Sequence, residues 1–296
     1  MLTISDEDTD KNVQFLLSAQ GFGHYEFHNG IRTLIMEFHK SRLKKAREPP
    51  GLNVVVGVEY GSEIDEYTKK GWHTLAVEPN PVFHAILERK CQATCKLNKC
   101  GAGEFDATGV PMAYQGDVFQ ACTVQLDQII KTKVESLSID IQGLELNVLK
   151  GSKRLLRERQ IDVIFAEYQP GIICKNLLEF LSFNGYVLFD FLWYGQAVAS
   201  RHPEYVRFDT NKSMSMDIEN YCKLASFTSA NYSAHYGLEH DSHRSARQYM
   251  WLQNDIVAVH RAVFDAEFAD FLSNLRQLQC GRAFQCSTPA VHDIKF

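Results

Sequence analysis

The chain has 296 residues, 45% of them hydrophobic and 23% charged, and a formal net charge of -5. This is globular composition, enough for one large α/β domain or one domain with extensions. A mildly acidic chain exerts no general pull on phosphate backbones, so nucleic acid is not expected as a partner, and no run reaches the roughly 18 apolar residues that span a bilayer.

The first residues, MLTISDEDTDKN, are acidic and lack the basic and apolar blocks of a secretory signal, which predicts a cytoplasmic protein. Its eight cysteines are then expected as thiols, although Cys280 and Cys286 are able to bridge in an oxidising setting. Cys91, Cys95 and Cys100 lack the paired spacing of a structural zinc site, and no metal is expected. The basic run Lys40 to Arg47 reads as a solvated helix face, with anion or membrane-surface contact as the alternative.

In chain order, residues 12–47 contain a helix, with Ile31, Leu34, Ile35, Phe38 and Leu43 at helical spacing, ended by Pro49-Pro50. Asn53 to Val58 is a β-branched run of the kind buried on both faces of a parallel sheet. A helix around Ile64 to Lys70, a strand from His73 to Val77 and a helix carrying Phe83, Ile86 and Leu87 follow. Residues 91–133 are hard to read beyond a short TVQLD strand. Val134 to Ile141 is a strand, and Leu144 to Arg157 one amphipathic helix. Ile161 to Glu167, Gly185 to Leu192 and Asp255 to His260 are strands; Leu177 to Phe183 and Phe264 to Leu278 are helical. This alternation predicts a doubly wound, mostly parallel sheet. Residues 1–50 form an N-terminal helical extension, 51–278 the main domain and 279–296 a tail. An irregular polar insertion, 195–250, is expected to cover the ligand side of the sheet.

Ligands of such sheets bind beyond the carboxyl ends of the strands. After the first strand stands Gly57-Val58-Glu59-Tyr60-Gly61, which suits a close backbone approach to a ligand or an ordinary βα turn. Glu78 ends the second strand, 21 residues after Gly57. It is placed to accept ribose hydroxyls, or to open a helix as an N-terminal acid. Pro79, Asn80 and Asp117 complete the candidate cosubstrate set. The loop lacks G-x-G-x-x-G and carries Glu59 and Glu63, which repel a pyrophosphate and suit a cationic sulfonium. That favours S-adenosylmethionine over a dinucleotide. Methyl transfer to a hydroxyl needs a proton acceptor. Asp140 is the first candidate, Glu167 the second, and Glu145 the third catalytic candidate; Asp140 also reads as a capping acid and Glu145 as a favourable helix-start charge.

Four blocks carry a resemblance: VVVGVEYGSEIDEY, VEPNP, TVQLDQII and SIDIQGLELNVLKGSKRLL. Together they resemble the FkbM family of S-adenosylmethionine-dependent O-methyltransferases over about residues 52–192. The resemblance implies a Rossmann-like class I methyltransferase fold, with seven strands and the last one antiparallel. It implies a cosubstrate role for Gly57, Gly61 and Glu78, and a polar site at Asp140, Gly143 and Glu145. The acceptor would be a small-molecule or glycan hydroxyl. The chain departs from the family's first block: Val55 stands where Asp is usual and Glu59 where Asn is usual. Ser138 replaces a common Lys in the fourth block. These departures leave open a second expectation, a catalytically inactive interaction protein that kept the fold. Within the insertion, His235, His240 and His243 read as solvated loop histidines or as metal or acid–base groups. Trp193, Tyr194, Tyr232, Tyr236 and Trp251 read as acceptor-pocket or packing aromatics.

Overall fold

The computed structural model of the chain describes residues 24–91, 93–114, 116–168, 172–191 and 254–272. The insertion at 195–250 with its three histidines and the five named aromatics, the tail, and Cys280 and Cys286 lie outside the described residues.

Among the described residues, ten strands and seven helices are bounded as follows. Helix α1 (His24–Lys45) precedes β1 (Leu52–Val56), α2 (Ser62–Lys69), β2 (Thr74–Val77), α3 (Pro81–Lys90) and β3 (Cys95–Asn98). Then come β4 (Gly101–Ala102), β5 (Ala107–Tyr114), β6 (Asp117–Val124), α4 (Leu126–Ile129) and β7 (Val134–Ile139). The remainder is α5 (Glu145–Lys150), α6 (Lys153–Arg157), β8 (Ile161–Tyr168), α7 (Ile172–Phe183), β9 (Tyr186–Phe191) and β10 (Asn254–His260). Residues 266–272 are also helical. Seven strands form one sheet in the order β3-β2-β1-β7-β8-β10-β9. β1, β2 and β3 pair in parallel, while β10 runs antiparallel between β8 and β9. This is the Rossmann-like class I methyltransferase fold. The chain divides between Ser138 and Ile139 into two compact units.

In the first unit, Val54, Val55 and Val56 of β1 are buried, as a strand covered on both faces requires. Val55, Ile64, Tyr67, Ala76, Phe83 and Leu87 share one apolar cluster. α3 starts where Asn80 accepts from the Val82 N–H through its side chain, at 3.1 Å, with Pro81 in the first turn. α1 buries Leu34, Ile35, Met36 and Leu43. Its basic run is not wholly a solvated face: Lys40 pairs with Glu135 and lies 4.8 Å from the centre of the Trp72 ring. Glu37 pairs with Lys70 on the neighbouring α2–β2 turn.

The segment that was hard to read holds a second, three-stranded sheet, β4-β6-β5. Its β5–β6 hairpin closes with Tyr114 opposite Asp117, and Gly116 at φ 96° supplies the left-handed turn. The expected TVQLD strand ends at Val124, and Leu126–Ile129 is a helical turn. The expected reduced thiols are corrected for four cysteines, because β3 and the hairpin bring Cys91–Cys95 and Cys100–Cys122 together as disulfides.

In the second unit, β8 and α7 supply the buried residues Ile161, Val163, Ile164, Phe165, Leu177, Leu178 and Leu181. The single helix expected over 144–157 is two. α5 ends at Gly151, and the Ser152 hydroxyl donates back to the Val148 carbonyl at 2.8 Å, so the Gly-Ser pair breaks the run.

Candidate active site

In the first unit the two candidate turns meet. Glu78 Oε2 accepts the N–H of Val58 and of Glu59, each at 3.0 Å, and Oε1 accepts the N–H of Asn80 at 2.8 Å. The residue is 4% exposed. Gly57, Glu59 and Gly61 all have left-handed backbones, at φ 80°, 47° and 75°. This alternation turns consecutive N–H groups to one side, a concavity suited to an anion, and the chain's own carboxylate occupies it. A Cβ at Gly61 would lie 2.8 Å from Leu87 Cδ2, so the position has no room for a side chain. Glu59 carries backbone strain that Asn tolerates better.

The hairpin delivers a residue that sequence reasoning missed. Tyr114 hydrogen-bonds Glu59, and its ring stands edge-on to Phe83 at 5.2 Å. Tyr60, 61% exposed, also meets Phe83, at 4.9 Å. Burial first, then the negative charge of Glu59, raises the Tyr114 phenol to about 12, so it stays protonated and donates. Asp117 pairs with Tyr114 at the hairpin tip and is exposed. The only early signal was Gln115-Gly116 between two alternating stretches, a hairpin turn. Pro79 packs at the same rim: a Cβ on Gly101 would sit 3.5 Å from it and 3.1 Å from Met112 of β5. Gly57, Glu59, Gly61, Glu78, Pro79, Asn80 and the hairpin tip thus share one neighbourhood. Val55, where the family places Asp, is 2% exposed in the apolar cluster and contributes only packing.

In the second unit, the turn after β7 uses a similar device. Gln142 and Gly143 are left-handed, at φ 58° and 101°. Glu145 Oε1 accepts the N–H of Gly143 at 2.9 Å and of Ile141 at 3.3 Å. Glu145 is fully buried, and its Oε2 is without a hydrogen-bond partner among the described residues. Burial holds this carboxyl above the usual carboxylate range, against the pull of the two N–H donors. The Gln142 side-chain amide reaches Asp140 Oδ1 at 3.2 Å and Glu167 Oε2 at 2.9 Å, gathering the other two catalytic candidates. Asp140 is half-buried and Glu167 is 8% exposed. Among the described residues no cluster of His, Cys, Asp and Glu could hold a metal ion, and no helix is long and apolar enough to cross a membrane.

Residues 56–188 match the model of the methyltransferase FkbM domain. No curated protein matches the chain. Solved structures similar to it include a methyltransferase FkbM from Methylobacillus flagellatus KT, at 16% identity and a TM-score of 0.38, over 62% of this chain and 55% of that one. The chain therefore spans about half the length of that relative. Others are a precorrin-6y C5,15-methyltransferase from Geobacter metallireducens GS-15 (16% identity, TM-score 0.32, 52% of this chain and 74% of that one), and a TehB-like SAM-dependent methyltransferase from Corynebacterium glutamicum (16%, 0.31, 61% and 84%). Over residues 56–188, somewhat less than half of the chain, the sequence is thus similar to the methyltransferase FkbM domain.

Proposed function

We propose that the chain binds S-adenosylmethionine at the rim of its first unit and methylates an oxygen of a small-molecule or glycan hydroxyl. The observation that carries this reading is the closure of Glu78 on the Gly57–Gly61 loop beside Glu59 and Tyr114. The residues fit the cosubstrate in kind. Two carboxylates and the rings of Tyr60 and Tyr114 suit an adenosine bearing a sulfonium. Glu78 Oε1 accepts one N–H and keeps a lone pair for a hydroxyl, whereas Oε2 is already taken by two. A ribose held through both oxygens would have to displace a loop N–H. When bound, S-adenosylmethionine supplies an electrophilic methyl carbon. In this chain Glu78 would hold the ribose, and Gly57, Glu59, Gly61, Tyr114, Pro79, Asn80 and Asp117 would surround the rest. Asp140 is the acceptor-side base in this reading: its carboxylate takes the hydroxyl proton, with Gln142 holding it and Glu167 in place. Glu145 shapes the turn in this reading, through the N–H groups of Ile141 and Gly143 that its Oε1 accepts.

The full occupancy of Glu78 Oε2 favours a second reading, an inactive protein that kept the fold. Cytoplasmic placement implied reduced cysteines, and the pairs Cys91–Cys95 and Cys100–Cys122 depart from that implication. Calorimetry with S-adenosylmethionine and S-adenosylhomocysteine separates the two functions. Micromolar binding, weakened about tenfold by Glu59→Gln or Tyr114→Leu, supports the enzyme; no heat at millimolar ligand rejects it.

A further inference from the structure

A buried polar cluster lies beneath the first loop, and one of its members comes from outside residues 56–188. Arg32 of α1 is 8% exposed. Its Nη1 donates to Glu63 Oε2 at 3.3 Å and to Ser138 Oγ at 3.0 Å. Ser138 Oγ in turn donates to Glu63 Oε2 at 3.1 Å, and the Tyr67 hydroxyl donates to Glu63 Oε1 at 2.9 Å. Glu63 is in the first turn of α2, two residues after Gly61 closes the loop. Ser138 is on β7 and 1% exposed. One guanidinium therefore ties the helix that opens from the loop to a strand of the sheet, and neutralises a carboxylate that has left water.

We infer that Arg32 is a positioning residue for the Gly57–Gly61 loop: it fixes the start of α2, and through it the N–H groups of Val58 and Glu59 that meet Glu78. Helix α1 is then a working part of the binding site and not an accessory extension. The inference rests on the proposed cosubstrate reading for its affinity readout, and a second readout is independent of any ligand. Lys40, on the same helix and paired with Glu135 on the same strand as Ser138, makes no contact with α2 in this network and serves as the control.

The experiment compares wild type with Arg32→Met, Arg32→Lys, Arg32→Met/Glu63→Gln and Lys40→Met at 15 °C, where each is first shown to be folded. S-Adenosylmethionine affinity is measured by calorimetry, the thermal midpoint by unfolding, and amide exchange of residues 57–64 by mass spectrometry. Arg32→Met weakens affinity at least tenfold and speeds exchange in 57–64 at least tenfold. Arg32→Lys regains part of both. The double variant recovers thermal midpoint, because no charge is stranded, but not affinity or exchange protection. Lys40→Met lowers the midpoint while leaving affinity and loop exchange within twofold of wild type. The inference is overturned if Arg32→Met lowers only the midpoint, or if Lys40→Met loosens the loop equally. If wild type binds no cosubstrate, the functional reading fails and the exchange comparison alone decides the role of Arg32.

Discussion

The turns after β1 and after β7 solve the same problem with different degrees of completion. Each has left-handed residues whose N–H groups converge, and each fills the convergence with a buried carboxylate. Glu78 arrives from the neighbouring strand and uses both oxygens on three N–H groups. Glu145 comes from the turn's own sequence, uses one oxygen on two N–H groups, and leaves the other without a partner among the described residues. A buried carboxylate with donors on both oxygens has its desolvation offset by hydrogen bonds; one half-satisfied in an apolar setting, as Glu145 is, moves toward its acid form. The first turn is thus a rigid frame, and the second is sensitive to protons.

The largest expected effect comes from the strand feeding the first turn. Val55→Asp would put the family's usual carboxylate inside an apolar cluster with no partner there. It should cost about 4 kcal/mol or prevent folding, and create no cosubstrate binding. Chemical denaturation measures the loss; a stable variant that gains affinity would show that the cluster reopens around the carboxylate. Glu78→Ala strands three N–H groups, two of them buried, and should destabilise by about 3 kcal/mol. Glu145→Ala strands two and should cost less, which tests the ranking of the two turns directly.

A smaller effect carries a sign. The native Glu145 carboxyl has a raised pKa, so ionising it costs native stability once pH exceeds the ordinary carboxylate value. Below both pKa values the contribution vanishes. Wild type should therefore gain stability relative to Glu145→Gln as pH falls from neutral through the raised pKa. Denaturation of both proteins at a series of pH values measures it, and a flat difference between pH 4 and 8 would remove the proton-sensitive account. The smallest effect is Glu59→Asn. Relief at φ 47° should add roughly 0.5 kcal/mol, visible as a small rise in thermal midpoint, while loss of the Glu59–Tyr114 contact weakens any cationic ligand.

The sheet was legible where burial on both faces wrote continuous apolar runs, as in Asn53 to Val56, and where Asn80-Pro81 marked a helix start. The hairpin was not. No residue of its two strands is fully buried, and β5 is mostly exposed and interrupted by Gly109 and Pro111, so they lack a buried hydrophobic row to read. Glu78 was legible as a residue beside the loop, but not as the acceptor of the loop's own N–H groups, because that depends on backbone angles which sequence spacing does not report. Arg32 left no signal at all. A basic residue on a helix reads as solvated until its partners, one of them over a hundred positions away, are brought to it.

That separation has a consequence for how the molecule is made. Arg32 and Ser138 are 106 positions apart, and Ser138 is the last of the network's residues to leave the ribosome. Contacts of such range are slow to form because the intervening chain must first be confined. A nascent chain halted before β7 would hold Arg32 and Glu63 together without their third member. The final setting of the first loop would thus be deferred until β7 has been synthesised.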